Sequence, residues 1–125
     1  MKPQPLIAVR DVPASSRWYQ KLLGCISGHG GDEYEQLIDP ATGDMILQLH
    51  HWGDHDHPNL GDPDAAPHGY GVLLWFHTDA IDAVIKRAKG LKVEIIEERR
   101  FNPNAGHHEC WLRDPDGYVV VIVGS

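Results

Sequence analysis

No run of apolar residues in this sequence approaches the roughly 20 that a bilayer-spanning helix needs. The opening Met1-Lys2-Pro3-Gln4-Pro5 also lacks the apolar core of a secretory signal. No membrane partner is expected. Cysteine is scarce: Cys25 and Cys110 are the only two, each inside a presumed strand and without a close-spaced partner. That excludes a disulfide framework and fits buried free thiols in a reducing, cytoplasmic setting. Clustered positive charge is missing too. Eleven Lys and Arg against 18 Asp and Glu leave a net charge of −7, and the basic doublet Arg99-Arg100 follows Glu97-Glu98 at the end of a solvated strand. Phosphate backbones are held by clustered Lys and Arg, so no nucleic-acid partner is expected. There is no Gly-x-Ser-x-Gly elbow, phosphate-binding Walker loop or dinucleotide fingerprint.

What is present reads as one pattern used twice. The apolar run Leu6-Ile7-Ala8-Val9 precedes Asp11, a residue able to cap a helix with its carboxylate. Pro13 suits a first turn, where its missing N–H costs nothing. Val12, Ser16, Tyr19, Leu22 and Leu23 fall at helical spacing, and Gly24 is the left-handed stop. Three short strands follow, near Cys25 to Gly28, Tyr34 to Ile38 and Met45 to His51, with Asp39-Pro40-Ala41-Thr42-Gly43 turning between the last two. The second pass runs from the apolar strand Val72 to Phe76 to a cap at Asp79. A helical face of Ile81, Val84, Ile85 and Ala88 follows, with a stop at Gly90. Strands near Val93 to Ile96, Cys110 to Leu112 and Val119 to Val123 complete it, with Asp114-Pro115-Asp116-Gly117 as the matching turn. The order of cap, stop and Asp-Pro turn predicts an internally duplicated α+β fold. Its expected form is two βαβββ modules in a curled antiparallel sheet cup, with helices on the outer face. A length of 125 residues fits one domain over 1–125. Module one spans about 4–51, the polar, Gly- and Pro-rich linker 52–70, and module two 71–125.

Two segments carry a family resemblance. Val9-Arg10-Asp11 followed by Ser15-Ser16-Arg17-Trp18-Tyr19-Gln20-Lys21-Leu22-Leu23-Gly24 resembles the first strand and helix of the vicinal-oxygen-chelate superfamily, which holds the glyoxalases, bleomycin resistance proteins and extradiol dioxygenases. Arg113-Asp114-Pro115-Asp116-Gly117-Tyr118 is similar to that family's turn before its last strand. The resemblance implies paired modules enclosing a pocket, usually completed in a homodimer, with a divalent metal held by His, Glu or Gln from the first and last strand of each module. Carried over residue by residue, those positions are Gln4, Gln48, Val72 and Val121. Valine offers no lone pair, and two neutral amides hold Zn²⁺, Ni²⁺ or Fe²⁺ poorly. No metal cofactor is therefore expected there.

Strand alternation names the inward residues independently. Leu47 and Leu49 share one face, leaving Gln48 and His50 on the other. Cys110 and Leu112 share a face opposite His107, Glu109 and Trp111, and the pseudo-repeat adds Gln36 beside Tyr34. The expected ligand-binding set is Gln36, Gln48, His50, His107, Glu109 and Trp111, a polar and aromatic lining for a small flat molecule. Trp75 is expected beneath a helix, and Glu109 has a bland reading as the partner of Arg99 or Arg100. The His50-to-His57 cluster lacks metal-ligand spacing and reads as a solvated loop. Three functions compete: a metal-free small-molecule binder, with an antibiotic or a metabolite as ligand; a metal-dependent lyase or dioxygenase using His50, His107 and Glu109; and a metal-free lyase or isomerase with Glu109 or His107 as base.

Overall fold

The Asp11 side chain accepts a 3.0 Å hydrogen bond from the Ala14 amide and so starts the first helix, α1 (Val12–Leu23). Gly24, at φ 75°, ends it by donating its N–H to the Gln20 carbonyl. The computed structural model describes residues 1–53, 57–65 and 67–125. It divides into two compact units, Met1–Ala66 and Pro67–Ser125, each a βαβββ module. In the first, β1 (Leu6–Val9) precedes α1, and β2 (Ile26–Ser27), β3 (Tyr34–Ile38) and β4 (Met45–His51) follow it. In the second, β5 (Leu74–His77) and helix α2 (Ile81–Gly90) precede β6 (Glu94–Asn102), β7 (His107–Arg113) and β8 (Val119–Gly124). A short 3-10 turn, Pro58–Leu60, interrupts the segment expected to be structureless. Among the described residues, no helix is long and apolar enough to cross a membrane.

Each sheet is mixed rather than antiparallel, with strand orders β1-β4-β3-β2 and β5-β8-β7-β6. The reason is topological. The helix returns the chain to its starting end, and three alternating strands then follow. The last of them runs in the direction of the first and pairs with it in parallel, as β4 does with β1 and β8 with β5. Both Asp-Pro turns join the last two strands of their unit. Asp39 ties back Gly43 through its carbonyl, and Asp114 ties back Gly117 likewise while its carboxylate accepts from the Asp116 and Tyr118 amides.

One sheet face in each unit is apolar and meets the helix. Leu37, Leu47 and Leu49 are fully buried with Tyr19 and Leu22 in the first unit, and Cys110, Leu112, Val120 and Ile122 are buried with Ala88 in the second. Both cysteines are free and buried, and burial pushes the Cys25 thiol up to about 11 and raises that of Cys110.

The helix-side core of the first unit also contains a carboxylate. Glu35 accepts from the Ser16 and Ser27 hydroxyls at 2.9 and 2.8 Å and from the amides of His29, Gly30 and Gln36. Burial alone would raise its pKa. The donors from Gly30, Ser27, Ser16 and Gln36 outweigh burial and lower it. This group holds the β2–β3 hairpin to α1, and Ser16 belongs to that contact.

The second helix departs from its expected signals. Its N-cap is Ala80, not Asp79, and no side chain caps it; the Thr78 hydroxyl instead accepts from the Ala80 amide one residue earlier. Gly90 is the last helical residue, not the stop. The left-handed position falls two residues later on Lys92, at φ 57°, while the Val93 amide closes on the Ala88 carbonyl. An L side chain in that conformation costs about 1–2 kcal/mol. Lys92→Gly is expected to raise the unfolding free energy by about 0.5–1 kcal/mol, the strain relief less the entropy glycine adds to the unfolded chain. Gly24→Ala is expected to lower it by about 1 kcal/mol or more. Urea denaturation of both variants checks the pair.

Candidate functional site

In each unit the sheet face turned away from the helix carries the polar and aromatic side chains, and strand register places them in rows. In the first unit Leu6, Gln48 and Gln36 stand side by side across β1, β4 and β3, with Ala8, His50 and Tyr34 in the next row. In the second, the corresponding rows across β5, β8 and β7 are Trp75, Val121 and Trp111, then His77, Val123 and Glu109. On this register the counterpart of Gln4 is Leu73 rather than Val72. The second helix is capped at Ala80, one residue beyond the expected Asp79, which shifts the match by one, and Val72 lies before β5 on an exposed segment.

The first unit's face is a hydrogen-bond relay. The Gln48 side-chain amide donates to the Gln4 backbone carbonyl at 2.8 Å, and its oxygen accepts from the Tyr34 hydroxyl. Gln36 Nε2 donates to the same hydroxyl at 3.1 Å. Gln4 contributes its main chain, while its side chain is exposed. A cavity of about 380 Å³ opens beside Gln36 and Gln48, floored by Ile38 and Met45 and edged by the exposed Lys2–Asp44 ion pair. His50 Nδ1 donates to the His51 carbonyl at 2.6 Å. Its ring meets His57 edge-on, and Tyr34 lies between His50 and His29. Of the His50-to-His57 cluster, Asp54, His55 and Asp56 lie outside the described residues.

The second unit's face is built around Glu109, which is only 2% exposed. One carboxylate oxygen accepts from Asn102 Nδ2 and His107 Nε2, both at 2.9 Å. The other accepts from Trp111 Nε1 at 3.1 Å, and Arg100 Nη2 stands 3.8 Å from it. Asn102, Trp111 and His107, in that order, outweigh burial and hold the carboxyl at about 2, with Arg100 adding a smaller pull. The expected Arg100 pairing is present, as the weakest of these contacts. Because a carboxylate only accepts, His107 donates to it from Nε2.

Trp75 is not beneath the helix. Its ring is 46% exposed and lies 5.7 Å from the His107 ring, on the same face as Trp111. Its alternation with Leu73 and His77 is right, but Leu74 is the member of that strand that turns to the core. Asn102 is a site residue that the pattern missed, because the β6–β7 register shifts twice before setting it opposite His107. A further cavity of about 490 Å³ lies at the end of this face, lined by Tyr70, Leu73, Arg113 and Val119. Gly69 shapes its loop, since a Cβ there would stand 2.7 Å from the Tyr118 ring.

The residues at the family's metal positions do not fit an ion. Gln48 has both ends of its amide engaged within the protein, and Leu73 and Val121 offer no donor. Among the described residues, no three His, Cys, Asp or Glu side chains form a group able to hold a metal.

Glu109 also makes a checkable contribution to stability. Its folded pKa of about 2 lies below the ordinary 4.5, so its stabilisation is complete above that value and is lost as pH falls towards 2. The urea midpoint of the wild type is expected to drop more steeply between pH 4.5 and 2 than that of Glu109→Gln. Equal slopes would mean that these contacts do not depend on the charge.

The family model described as Glyoxalase/Bleomycin resistance protein/Dioxygenase superfamily matches residues 3–122. No curated protein matches the sequence. Among solved structures, a glyoxalase-related enzyme from Fulvimarina pelagi is 16% identical, with a TM-score of 0.76 over 100% of this chain and 88% of that one. A lactoylglutathione lyase from Agrobacterium tumefaciens is 19% identical, with a TM-score of 0.71 over 100% and 93%. TioX from Micromonospora sp. ML1 is 14% identical, with a TM-score of 0.72 over 100% and 96%. At such identities these likenesses establish the fold and nothing finer. The match of the family model along 3–122, on a duplicated βαβββ architecture, makes this chain a member of the glyoxalase/bleomycin resistance/dioxygenase superfamily.

Proposed function

We propose that this protein binds a small, flat, aromatic or antibiotic-like molecule on its helix-free strand faces, without a metal ion at the positions its superfamily uses for one. The observation that carries this reading is Val121, which replaces a metal ligand with an aliphatic side chain and stands between Trp75 and Trp111. Two indoles beside an apolar residue favour a planar ring. His107 and Glu109 supply polar contacts on that face, and Gln36, Gln48 and His50 supply them separately on the helix-free face of the first unit.

Catalysis by Glu109 finds no support. A carboxyl held at about 2 is almost fully ionised near neutrality and is a weak base, far from the matched value that proton transfer favours. The alternative metal set of His50, His107 and Glu109 is weakened in the same way, because His107 Nε2 and both Glu109 oxygens are already engaged with protein partners. The reading includes a cytoplasmic setting, supported by two free buried thiols, and a homodimer, supported by exposed Tyr70, Val72, Leu73 and Trp75 on one segment.

Elemental analysis of untagged protein is expected to find no stoichiometric ion. One ion per chain, lost on Gln48→Ala, would overturn the reading. A panel of planar aromatic compounds should quench tryptophan fluorescence saturably, and Trp75→Ala should weaken those that bind by about 0.5–1.5 kcal/mol with little change in stability. Light scattering at micromolar concentration should give twice the chain mass; a monomer mass would contradict the dimer.

A further inference from the structure

The relay in the first unit has a direction, and the Gln4 backbone carbonyl sets it. That carbonyl can only accept, so the Gln48 group facing it at 2.8 Å is the NH₂, and the Gln48 oxygen is the end at Tyr34. An amide oxygen also only accepts, so Tyr34 must donate to it. The Tyr34 oxygen is then free to accept, and it does so from Gln36 Nε2 at 3.1 Å. Every proton from Gln36 to Gln4 therefore points the same way, and the chain polarises each link.

The relay's open end is Gln36. Its side-chain oxygen meets no donor among the described residues, and its second amide hydrogen has no acceptor among them. Both groups border the cavity of about 380 Å³, a volume suited to a small ligand. A primary amide presents an acceptor and a donor on adjacent atoms, and a cis-amide, which offers one N–H and one C=O side by side, is its complement. Ile38 and Met45 supply apolar surface for the ring that carries that edge. The cavity has no net charge to select an ionic group, since Lys2 and Asp44 at its rim pair with each other at 3.3 Å.

We propose that Gln36 recognises the cis-amide edge of a planar lactam or imide, held in orientation by Tyr34, Gln48 and the Gln4 carbonyl. This rests on the small-molecule reading above and narrows its ligand class. Gln36 is the specificity-determining residue, and Tyr34 is a positioning residue that acts through it.

The test compares 2-quinolinone with 1-methyl-2-quinolinone, which keeps the ring and carbonyl but lacks the N–H. Titration calorimetry on the full chain is expected to show the lactam binding about tenfold more tightly than its N-methyl analogue, since the methyl group removes the one N–H donor and leaves the Gln36 oxygen unpaired. Gln36→Leu should bring the two within about twofold of each other without lowering the melting temperature. Tyr34→Phe should reduce the discrimination partway, since Gln36 then lacks its anchor. A merely structural role for the amides would lower the melting temperature and leave discrimination unchanged, and that result overturns the proposal. Equal binding of both compounds to wild type also overturns it while leaving a planar-ligand site in place. Failure of both compounds to bind while another planar ring quenches tryptophan fluorescence has the same meaning. If no planar compound binds at all, both readings fall.

Discussion

The parallel pairing of the first and last strand in each unit is the constraint on which both faces depend. An odd number of strands after the helix makes this closure the natural one, and it brings together residues about forty positions apart. Without β1 against β4, the Gln4 carbonyl would not reach Gln48, and the relay through Tyr34 to Gln36 would have no fixed direction. Without β5 against β8, Trp75 would not stand beside Val121. The backbone ladder sets the distance, and the side chains inherit it.

Duplication gave the chain two copies of one surface, and the two copies have opposite chemistry. The row Leu6, Gln48, Gln36 is mainly amide, and the matching row Trp75, Val121, Trp111 is apolar apart from two indole N–H groups. The next row reverses the contrast, with Glu109 where the first unit has Tyr34. Leu73 and Val121 offer no lone pair at the family's metal positions.

The two buried carboxylates show how the same group serves different ends. Glu35 is on the helix side, and its donors are two serine hydroxyls and three amides, which lock a hairpin to α1. Glu109 is on the opposite face, and its donors are site side chains. An ionised group out of water is tolerable only when its lone pairs are filled. Glu109 therefore fixes the rotamers of His107, Asn102 and Trp111 together, and its value to the site is geometric.

Local signals determined much of this protein. The Asp11 cap, the Gly24 stop, both Asp-Pro turns and the alternation of Leu47 and Leu49 against Gln48 and His50 follow from nearest-neighbour chemistry, which a sequence displays directly. Val121 at a family metal position is equally visible there, whereas the position matching Gln4, expected at Val72, falls on Leu73 once the strands pair. Other features were decided only in three dimensions. Alternation gives two faces to Leu73-Leu74-Trp75-Phe76 but does not say which meets the helix, and packing chose Leu74 over Trp75. The stop of α2 fell on Lys92 because the closure of Val93 onto Ala88 required a left-handed residue there, whatever its type. Asn102 joined Glu109 through two register shifts that leave no periodic trace, and Glu35 became buried because Ser16, Ser27 and three amides were free to fill its lone pairs. In each case the deciding contact links residues whose spacing carries no pattern, so only the folded chain brings it into view.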